Sequence, residues 1–392
     1  MADRTAPDPS AMELLAFAFA ARLGERLVEE AQRIARCRVA LYVVDINGRA
    51  LRRAGGEIDA PDVISMDLGV GPEIPAEHAA DLEGRVRAQA PGVVVVPLWL
   101  RSRTLAALLC EGEPEGSLAH LIEHAAAAIE LADNYTDAFE IARRSHDATP
   151  AAELQQDLLP PRIAYVEGAQ LAATLLPAYD VGGDWFDHAS DAHGAWFAVA
   201  DAVGKGPRAA ALSALALGAY RAGRRRGRSL QEVAVGIGRI VGQVGEGGAY
   251  ITAVLGRWHA ADRTFSWVRC GHPFPTIWKP DGTLEELDDV GGVPLGVGSP
   301  EEPYQVGSRR LEPGERLVIY SDGISERRTP DGRFGLEGVQ HALATAPSRS
   351  ASSAAASITA QVLAASDDEV RDDATVLVLA PGELPMDQRL GR

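Results

Sequence analysis

Hydrophobic positions change their spacing several times along the chain, and these changes predict where helices and strands lie. Over residues 11–36 the apolar side chains recur every three or four positions, which predicts an amphipathic helix. Continuous apolar runs then predict buried strands at 38–45, 92–100 and 104–110. Because helices and hairpins alternate here, we expect an α+β sensory domain over residues 11–117.

The next segment, residues 118–144, carries apolar side chains at alternating spacings of three and four. This is the pattern of a coiled-coil seam. Two interpretations stay open: a terminal helix packed on its own domain, or a connector through which the chain dimerises. We favour a connector over residues 118–149, because the helix outlasts the first domain, and we expect a homodimer through residues 118–144.

A break at Thr149-Pro150 starts a second region, which extends to residue 380. Short buried strands next to aspartates are predicted at 196–200, 316–320 and 374–379. Helices are predicted at 209–223, 230–244 and 348–365, the last as a surface helix rich in Ser and Ala. Residues 381–392 are predicted to be an unstructured tail.

Charge and composition exclude several classes of protein. The net charge of −17 argues against a nucleic-acid binder, because phosphates would be repelled over most of the surface. The basic run at 221–228 is interpreted as a solvated helix end, with a docking patch for an acidic partner as the alternative. The sequence shows neither a signal peptide nor a membrane-spanning apolar run. Three well-separated cysteines indicate no disulfide framework or zinc site and favour a cytoplasmic location.

Candidate chemistry lies in four segments that place aspartates beside strand ends. They are Val181-Gly-Gly-Asp184-Trp-Phe-Asp187, Asp201-Ala-Val-Gly-Lys-Gly206, Ser321-Asp322-Gly323 and Arg371-Asp372-Asp373-Ala-Thr375. One such motif alone is usually a turn, but four in a single domain indicate a site. Converging carboxylates raise one another's pKa, and a divalent cation removes that repulsion. An all-oxygen ligand set favours Mg²⁺ or Mn²⁺ over zinc.

The order of these motifs resembles the PPM (protein phosphatase 2C-like) superfamily, specifically its bacterial SpoIIE/RsbU-type branch. The matching segments are LQQDLLP at 154–160, YDVGGDWFD at 179–187, VADAVGKGPRAAALSALA at 199–216, CGHPFPTIW at 270–278, GGVPLGV at 291–297, GERLVIYSDGISERRTPDGRFG at 314–335 and RDDATVLVLA at 371–380. In the first domain, VVPLWLRSRTLAALLCEG at 95–112 resembles the end of the sheet of a GAF domain. No ligand motif accompanies that GAF-like segment.

The resemblance implies an α/β/β/α sandwich over residues 150–380, in which two antiparallel sheets are flanked by helices, with two Mn²⁺ or Mg²⁺ ions at one end. Asp184 and Asp201 would hold the ions, Asp201 bridging them, and the backbone carbonyl of Ala202 would add a ligand. Asp322 and Asp372 would complete the site, with Asp373 a close neighbour that also counts among the metal residues. Supporting residues would be Asp187, through hydrogen bonds or bound waters, and Gly183, Gly204, Lys205 and Gly323.

The implied activity is metal-dependent hydrolysis of phosphoserine or phosphothreonine on a regulatory protein, through a metal-activated water and without a covalent intermediate. The resemblance points to a STAS-type anti-sigma-factor antagonist as substrate, with the first domain as regulator. Lys205 is interpreted as a solvated loop lysine, with phosphate attraction as the alternative. His272 is interpreted as a structural turn residue rather than a proton donor. The rival functions are a catalytically silent phosphoprotein-binding module and a different metal hydrolase, such as a phosphodiesterase.

Overall fold

The computed structural model describes residues 19–67, 69–101, 103–176, 179, 182–245, 248–298, 304–330, 332–365 and 372–382. The chain divides into two compact units, with the boundary between His146 and Asp147. We refer to them as the N-terminal unit and the C-terminal unit. Within the described residues, no helix has both the length and the apolar character needed to cross a bilayer.

The N-terminal unit is a sheet covered by helices on both faces. Its elements are α1 (Leu23–Ala35), β1 (Val39–Val44), β2 (Ala50–Gly55), β3 (Val63–Ser65), β4 (Ile74–Pro75), α2 (Ala79–Gln89), β5 (Val93–Leu100), β6 (Arg103–Glu111), α3 (Ala119–Ala132) and α4 (Ala138–Arg143). The strand order is β3-β2-β1-β6-β4, and β5 also pairs with β6. Alternate residues of β1 enter two separate cores, one shared with α1 and α3 and the other with α2. The predicted α+β architecture is therefore confirmed, whereas the likeness to a GAF domain stays a prediction.

The single long helix predicted over residues 118–144 is wrong. It is divided into α3 and α4, which pack on their own unit, because both contribute to its core. Ile129 of α3 and Phe139 of α4 are buried in the same hydrophobic cluster as α1. Arg143 of α4 forms an ion pair with Asp133 at 2.9 Å, and its backbone carbonyl accepts a hydrogen bond from the N–H of Ile46. The spacing of three and four reflected this local packing, and the homodimer stays a prediction.

The C-terminal unit is a sandwich of two antiparallel sheets with helices outside. Its helices are α5 (Pro150–Leu158), α6 (Pro207–Arg225), α7 (Leu230–Val244), α8 (Asp322–Ser325), α9 (Gly335–Ala344) and α10 (Ala351–Ala364). Its strands are β7 (Ile163–Val166), β8 (Ala169–Leu176), β9 (Asp184–Asp191), β10 (Gly194–Ala202), β11 (Ile251–His259), β12 (Thr264–Cys270), β13 (Thr276–Trp278), β14 (Leu284–Glu286), β15 (Gly307–Arg310), β16 (Arg316–Tyr320), β17 (Arg328–Thr329), β18 (Gly332–Arg333) and β19 (Ala374–Pro381). One sheet has the order β15-β12-β11-β10-β9, and the other β14-β13-β16-β19-β8-β7.

Three apolar layers hold this sandwich together and confirm the predicted α/β/β/α arrangement. Between the sheets, Phe197 and Trp258 of the first share a buried cluster with Ile319 and Leu377 of the second. Helices α6 and α7 cover the first sheet through a second cluster that includes Tyr220. Helix α10 covers the second sheet, since it contacts β8 and β19.

Helix α10 corrects one further expectation, because it is not a surface helix. Its Ile358 and Val362 are fully buried, and the Thr359 hydroxyl lies 2.7 Å from that of Thr174 in β8. The small Ser and Ala side chains let the helix lie close to the sheet. At the C-terminus, β19 extends to Pro381, and the rest of the predicted tail, residues 383–392, lies outside the described residues.

Candidate metal centre

The four aspartate segments meet at one end of the sandwich, and the strand pairing brings them there. Asp184 begins β9, and Asp201 is its direct partner on the neighbouring strand β10. On the facing sheet, Asp322 follows β16, while Asp372 and Asp373 precede β19. Strands β16 and β19 pair antiparallel, so the end of one lies beside the start of the other. We call these five aspartates the aspartate cluster.

Hydrogen bonds between the two sheets fix two members of the aspartate cluster. The carboxylate of Asp184 accepts hydrogen bonds from the Ser321 hydroxyl at 2.7 Å and from the Thr375 hydroxyl at 2.6 Å. Asp373 reaches back to the first sheet and accepts from the backbone N–H groups of Gly183 and Asp184, at 2.7 and 2.9 Å. These contacts connect the sheets at the point where the cluster lies.

Helix α5 also reaches the aspartate cluster, through one buried side chain. The amide of Gln155 donates to the Asp184 carbonyl at 2.8 Å and to the Asp373 carboxylate at 2.9 Å. The helix begins at a Thr149 cap followed by Pro150, which fixes its first turn. A shift of α5 therefore changes the surroundings of Asp184 and Asp373 directly.

The carboxylates of the cluster repel one another at a site that is buried around Asp184 and Asp373 and open around Asp322 and Asp372. Burial, followed by the charges of Asp201 and Asp373, raises the pKa of Asp184 well above its usual range. Burial, followed by Asp322, raises the pKa of Asp201 to about 7. The pKa of Asp322 is raised by burial and then by Asp372. Such a cluster is strained at neutral pH unless a cation offsets its charge.

Asp372 and Asp373 are neighbours in very different surroundings. The Asp373 side chain is buried, and one of its oxygens accepts the three hydrogen bonds described above. The Asp372 side chain is 61% exposed and pairs with Lys205 at 3.2 Å. The predicted roles of Asp372 as a direct ligand and of Asp373 as its close neighbour stay predictions.

The chemistry of the cluster fits a hard divalent cation. Every side-chain donor is a carboxylate oxygen, the type that Mg²⁺ and Mn²⁺ prefer, and burial followed by mutual repulsion raises the pKa values of several of them. As the side chains are placed, no three His, Cys, Asp or Glu groups in the described part of the chain form the ligand set of one ion. In this arrangement hydroxyl groups hold Asp184 and an ammonium group holds Asp372.

The structure does not bring Asp187 into the aspartate cluster, contrary to the supporting role predicted for it. It lies on the helix-covered face of β9, where Arg221 and Arg224 of α6 contact its carboxylate at 2.8 and 3.0 Å. Arg221 also donates to the carbonyl of Leu158 at the end of α5, at 2.6 Å. These two arginines, expected within a solvated basic run, therefore attach α5 and α6 to the sheet.

The remaining predicted residues lie close to the cluster. Gly183 and Gly323 permit tight backbone approaches, since a Cβ atom would lie 2.8 Å from the Ala202 carbonyl oxygen in the first case and 1.7 Å from the Asp373 carbonyl oxygen in the second. Gly204 and Lys205 belong to the loop between β10 and α6. His272 is fully buried and lies 2.8 Å from the Thr252 hydroxyl, and burial lowers its pKa to about 3. A neutral, enclosed imidazole agrees with the structural interpretation.

Comparison with known proteins finds similarity over the C-terminal unit. Residues 191–381 match the model of the family described as stage II sporulation protein E (SpoIIE). The phosphoserine phosphatase RsbU of Bacillus subtilis (strain 168) is 28% identical over 230 residues, which cover 58% of this chain and 68% of RsbU. The matched family region contains Asp201, Asp322, Asp372 and Asp373 but begins after Asp184.

Two solved structures are similar to the chain over part of its length. The RsbU and RsbW domains of Rv1364c from Mycobacterium tuberculosis are 24% identical with a TM-score of 0.49, over 56% of this chain and 65% of that one. The SiaA-PP2C domain of Pseudomonas aeruginosa is 19% identical with a TM-score of 0.49, over 59% of this chain and 94% of that one.

The sandwich of two antiparallel sheets and the aspartate cluster at one end are the features expected of a PPM-type phosphatase domain. Over residues 191–381 the unit matches the SpoIIE model, and it is similar to RsbU, as the resemblance to the SpoIIE/RsbU type implied.

Proposed function

We propose that the chain is a metal-dependent protein serine/threonine phosphatase that removes phosphate from a regulatory protein. The observation that supports this most strongly is the convergence of four aspartate-bearing segments at one end of the sandwich. The expected substrate is a phosphorylated STAS-type anti-sigma-factor antagonist. The similarity to RsbU, which is a phosphoserine phosphatase by name, supports a phosphoserine substrate.

The proposed mechanism assigns separate tasks to the residues of the site. Asp184, Asp201, Asp322, Asp372 and the carbonyl of Ala202 would hold two Mn²⁺ or Mg²⁺ ions. When bound, such ions would activate water for attack on the phosphorus and would offset charge on the phosphoryl oxygens.

Neighbouring groups orient these ligands. Ser321 and Thr375 fix the carboxylate of Asp184, and Asp373 accepts hydrogen bonds from the backbone N–H groups of Gly183 and Asp184. Lys205 provides a positive charge beside Asp372 at the open side of the site, where a phosphate dianion is attracted.

We further propose that the N-terminal unit is a GAF-like sensor that regulates the site through α5. Gln155 supports this route, because it joins α5 to both Asp184 and Asp373. A signal that moves α5 would shift the population between a cluster ready to bind metal and one that is not. The proposed homodimer would transmit such a signal to both copies.

A second candidate function is a catalytically silent module that binds a phosphoprotein. One arrangement favours it: Lys205 pairs with Asp372 while hydroxyl groups occupy Asp184, so the cluster is satisfied in part by the protein itself. Phosphate release distinguishes the two functions, because a silent module binds the phosphoprotein without hydrolysing it.

The test uses the full-length chain and a phosphoserine-bearing STAS-type protein prepared with its cognate kinase. We expect phosphate release in Mn²⁺, none in EDTA, and none from Asp201→Asn. Asp288→Asn is the matched control, because Asp288 is exposed and outside the aspartate cluster. Binding of the phosphoprotein without release would favour the silent module. Preferential cleavage of phosphodiesters would favour a different metal hydrolase.

A further inference from the structure

The segments around Asp322 and Asp372 are joined by successive contacts. Ser321 donates its backbone N–H to the Thr375 carbonyl at 2.9 Å, and its hydroxyl accepts from the Thr375 N–H at 3.0 Å. One step further on, Gly323 lies against the backbone of Asp373, with no space for a side chain. The last contact is made by Arg327, whose guanidinium donates to the carbonyl of Asp372 at 3.2 Å.

Arg327 is a buried arginine whose backbone and guanidinium are both held by hydrogen bonds. It is 9% exposed, and burial lowers its pKa, opposed by the charge of Asp372. Its backbone is fixed, because its carbonyl accepts a hydrogen bond from the Phe334 N–H at 2.8 Å. Its Nε atom is buried and has no hydrogen-bond partner among the described residues. Because burial removes water as an alternative partner, the hydrogen bond to the Asp372 carbonyl restrains both residues.

Of the neighbours Asp372 and Asp373, Asp372 is the one whose carboxylate lies largely in solvent. Asp373 is anchored by two backbone N–H groups and by Gln155, whereas the carboxylate of Asp372 is 61% exposed. The described contacts of Asp372 are with two cations: Lys205 at its carboxylate and Arg327 at its backbone carbonyl. Lys205 is itself 55% exposed, and an exposed ion pair gives little positional control. The buried guanidinium is the more rigid of the two supports.

We propose that Arg327 is a positioning residue that holds the Asp372 backbone so that its carboxylate faces the rest of the aspartate cluster, and that it thereby increases the affinity for divalent cations. This inference rests on the proposed function, since it assigns Asp372 to the metal site. Arg327 does not act as a ligand, because a guanidinium remains protonated and repels a metal ion. Its effect is exerted through the backbone carbonyl that it contacts.

The experiment measures Mn²⁺ binding to the full-length chain by isothermal titration calorimetry, with no substrate present. The variants are Arg327→Met, Arg327→Lys and Arg328→Met. Arg328 is the matched control, because it is the next residue and is exposed. We expect Arg327→Met to weaken Mn²⁺ binding roughly tenfold or more, as the loss of residues that orient metal ligands does elsewhere. Arg327→Lys, which keeps the charge and most of the side chain, should restore part of the affinity.

Thermal melting in EDTA separates positioning from a merely structural role. If Arg327 positions Asp372, the Tm of Arg327→Met in EDTA should be close to that of Arg328→Met. Addition of Mn²⁺ should then raise the Tm of Arg327→Met by less than it raises that of Arg328→Met. Mn²⁺ affinity equal to that of Arg328→Met would overturn the inference and leave the proposed function intact. A large loss of stability in EDTA, without rescue of Mn²⁺ binding by Arg327→Lys, would also overturn it. Absence of Mn²⁺ binding to the wild-type chain would instead overturn the proposed function.

Discussion

Replacement of Asp201 by Asn should stabilise the metal-free protein while abolishing metal binding. Asp201 lies beside Asp184, interacts electrostatically with Asp322, and has a pKa raised to about 7 mainly by burial. Its ionised form is therefore disfavoured in the folded state. A group whose pKa is raised by folding contributes stability that is fully present below its unfolded pKa and is lost as pH rises through the folded value. Asn removes this loss because it does not ionise.

The magnitude follows from the two pKa values. A folded pKa of about 7 against 3.8 in the unfolded chain corresponds to roughly 4 kcal/mol at pH 8 and about 1.6 kcal/mol at pH 5. Part of the charge repulsion is shared with Asp184 and Asp322. We therefore expect Asp201→Asn to stabilise the C-terminal unit by about 2 kcal/mol more at pH 8 than at pH 5, which for a unit of this size is roughly 4–8 °C in Tm.

The assay is thermal unfolding of the full-length chain in EDTA at both pH values. The transition of the C-terminal unit is identified as the one that Mn²⁺ shifts in the wild type. Asp288→Asn, an exposed control, should change Tm little at either pH. Equal stabilisation by Asp201→Asn at pH 5 and pH 8, or none at either, would refute the electrostatic reasoning. Mn²⁺ should raise the Tm of the wild type and leave that of Asp201→Asn almost unchanged.

Three other substitutions test separate parts of the structure. Gln155→Leu should lower Mn²⁺ affinity in calorimetry and reduce stability by about 1–3 kcal/mol, because it removes the amide donor shared by the Asp184 carbonyl and the Asp373 carboxylate. Gly323→Ala should lower the free energy of unfolding by several kcal/mol, since its Cβ would lie 1.7 Å from the Asp373 carbonyl oxygen. Gly291→Ala, whose Cβ meets open space, should have the free energy of unfolding of the wild type, and a denaturant titration measures both variants. Phe139→Ala should destabilise the N-terminal unit by about 3–5 kcal/mol, whereas Ile141→Ala, at a position 71% exposed, should change its unfolding little.

Elements whose pattern is local were predictable from the sequence. Helix α7 agrees with its predicted range, and the reason is visible at its start, where Ser229 and Glu232 form a capping box. Strand β16 likewise agrees with the predicted strand, because its apolar run ends directly before Ser321-Asp322. The aspartates were predictable as a set because each lies next to such a strand.

Features that depend on tertiary context were not predictable in the same way. The spacing of residues 118–144 suits both a coiled coil and a helix pair packed on its own sheet, and burial of Phe139 decided between them. The contact between Gln155 and Asp373 spans 218 positions, so no local pattern indicates it. Asp187 shares a motif with Asp184 but contacts Arg221 and Arg224. Side chains alternate between the two faces of a sheet, so residues three positions apart on a strand lie on opposite faces.

The most direct test of the central claim is hydrolysis of p-nitrophenyl phosphate by the full-length chain. It should be measured with Mn²⁺, with EDTA, and with Asp201→Asn beside Asp288→Asn. If the chain is a metal-dependent phosphatase, its activity should require Mn²⁺, persist in Asp288→Asn and be lost in Asp201→Asn. Activity that survives EDTA, or that Asp201→Asn retains, would contradict the assignment of the aspartate cluster as the catalytic metal centre.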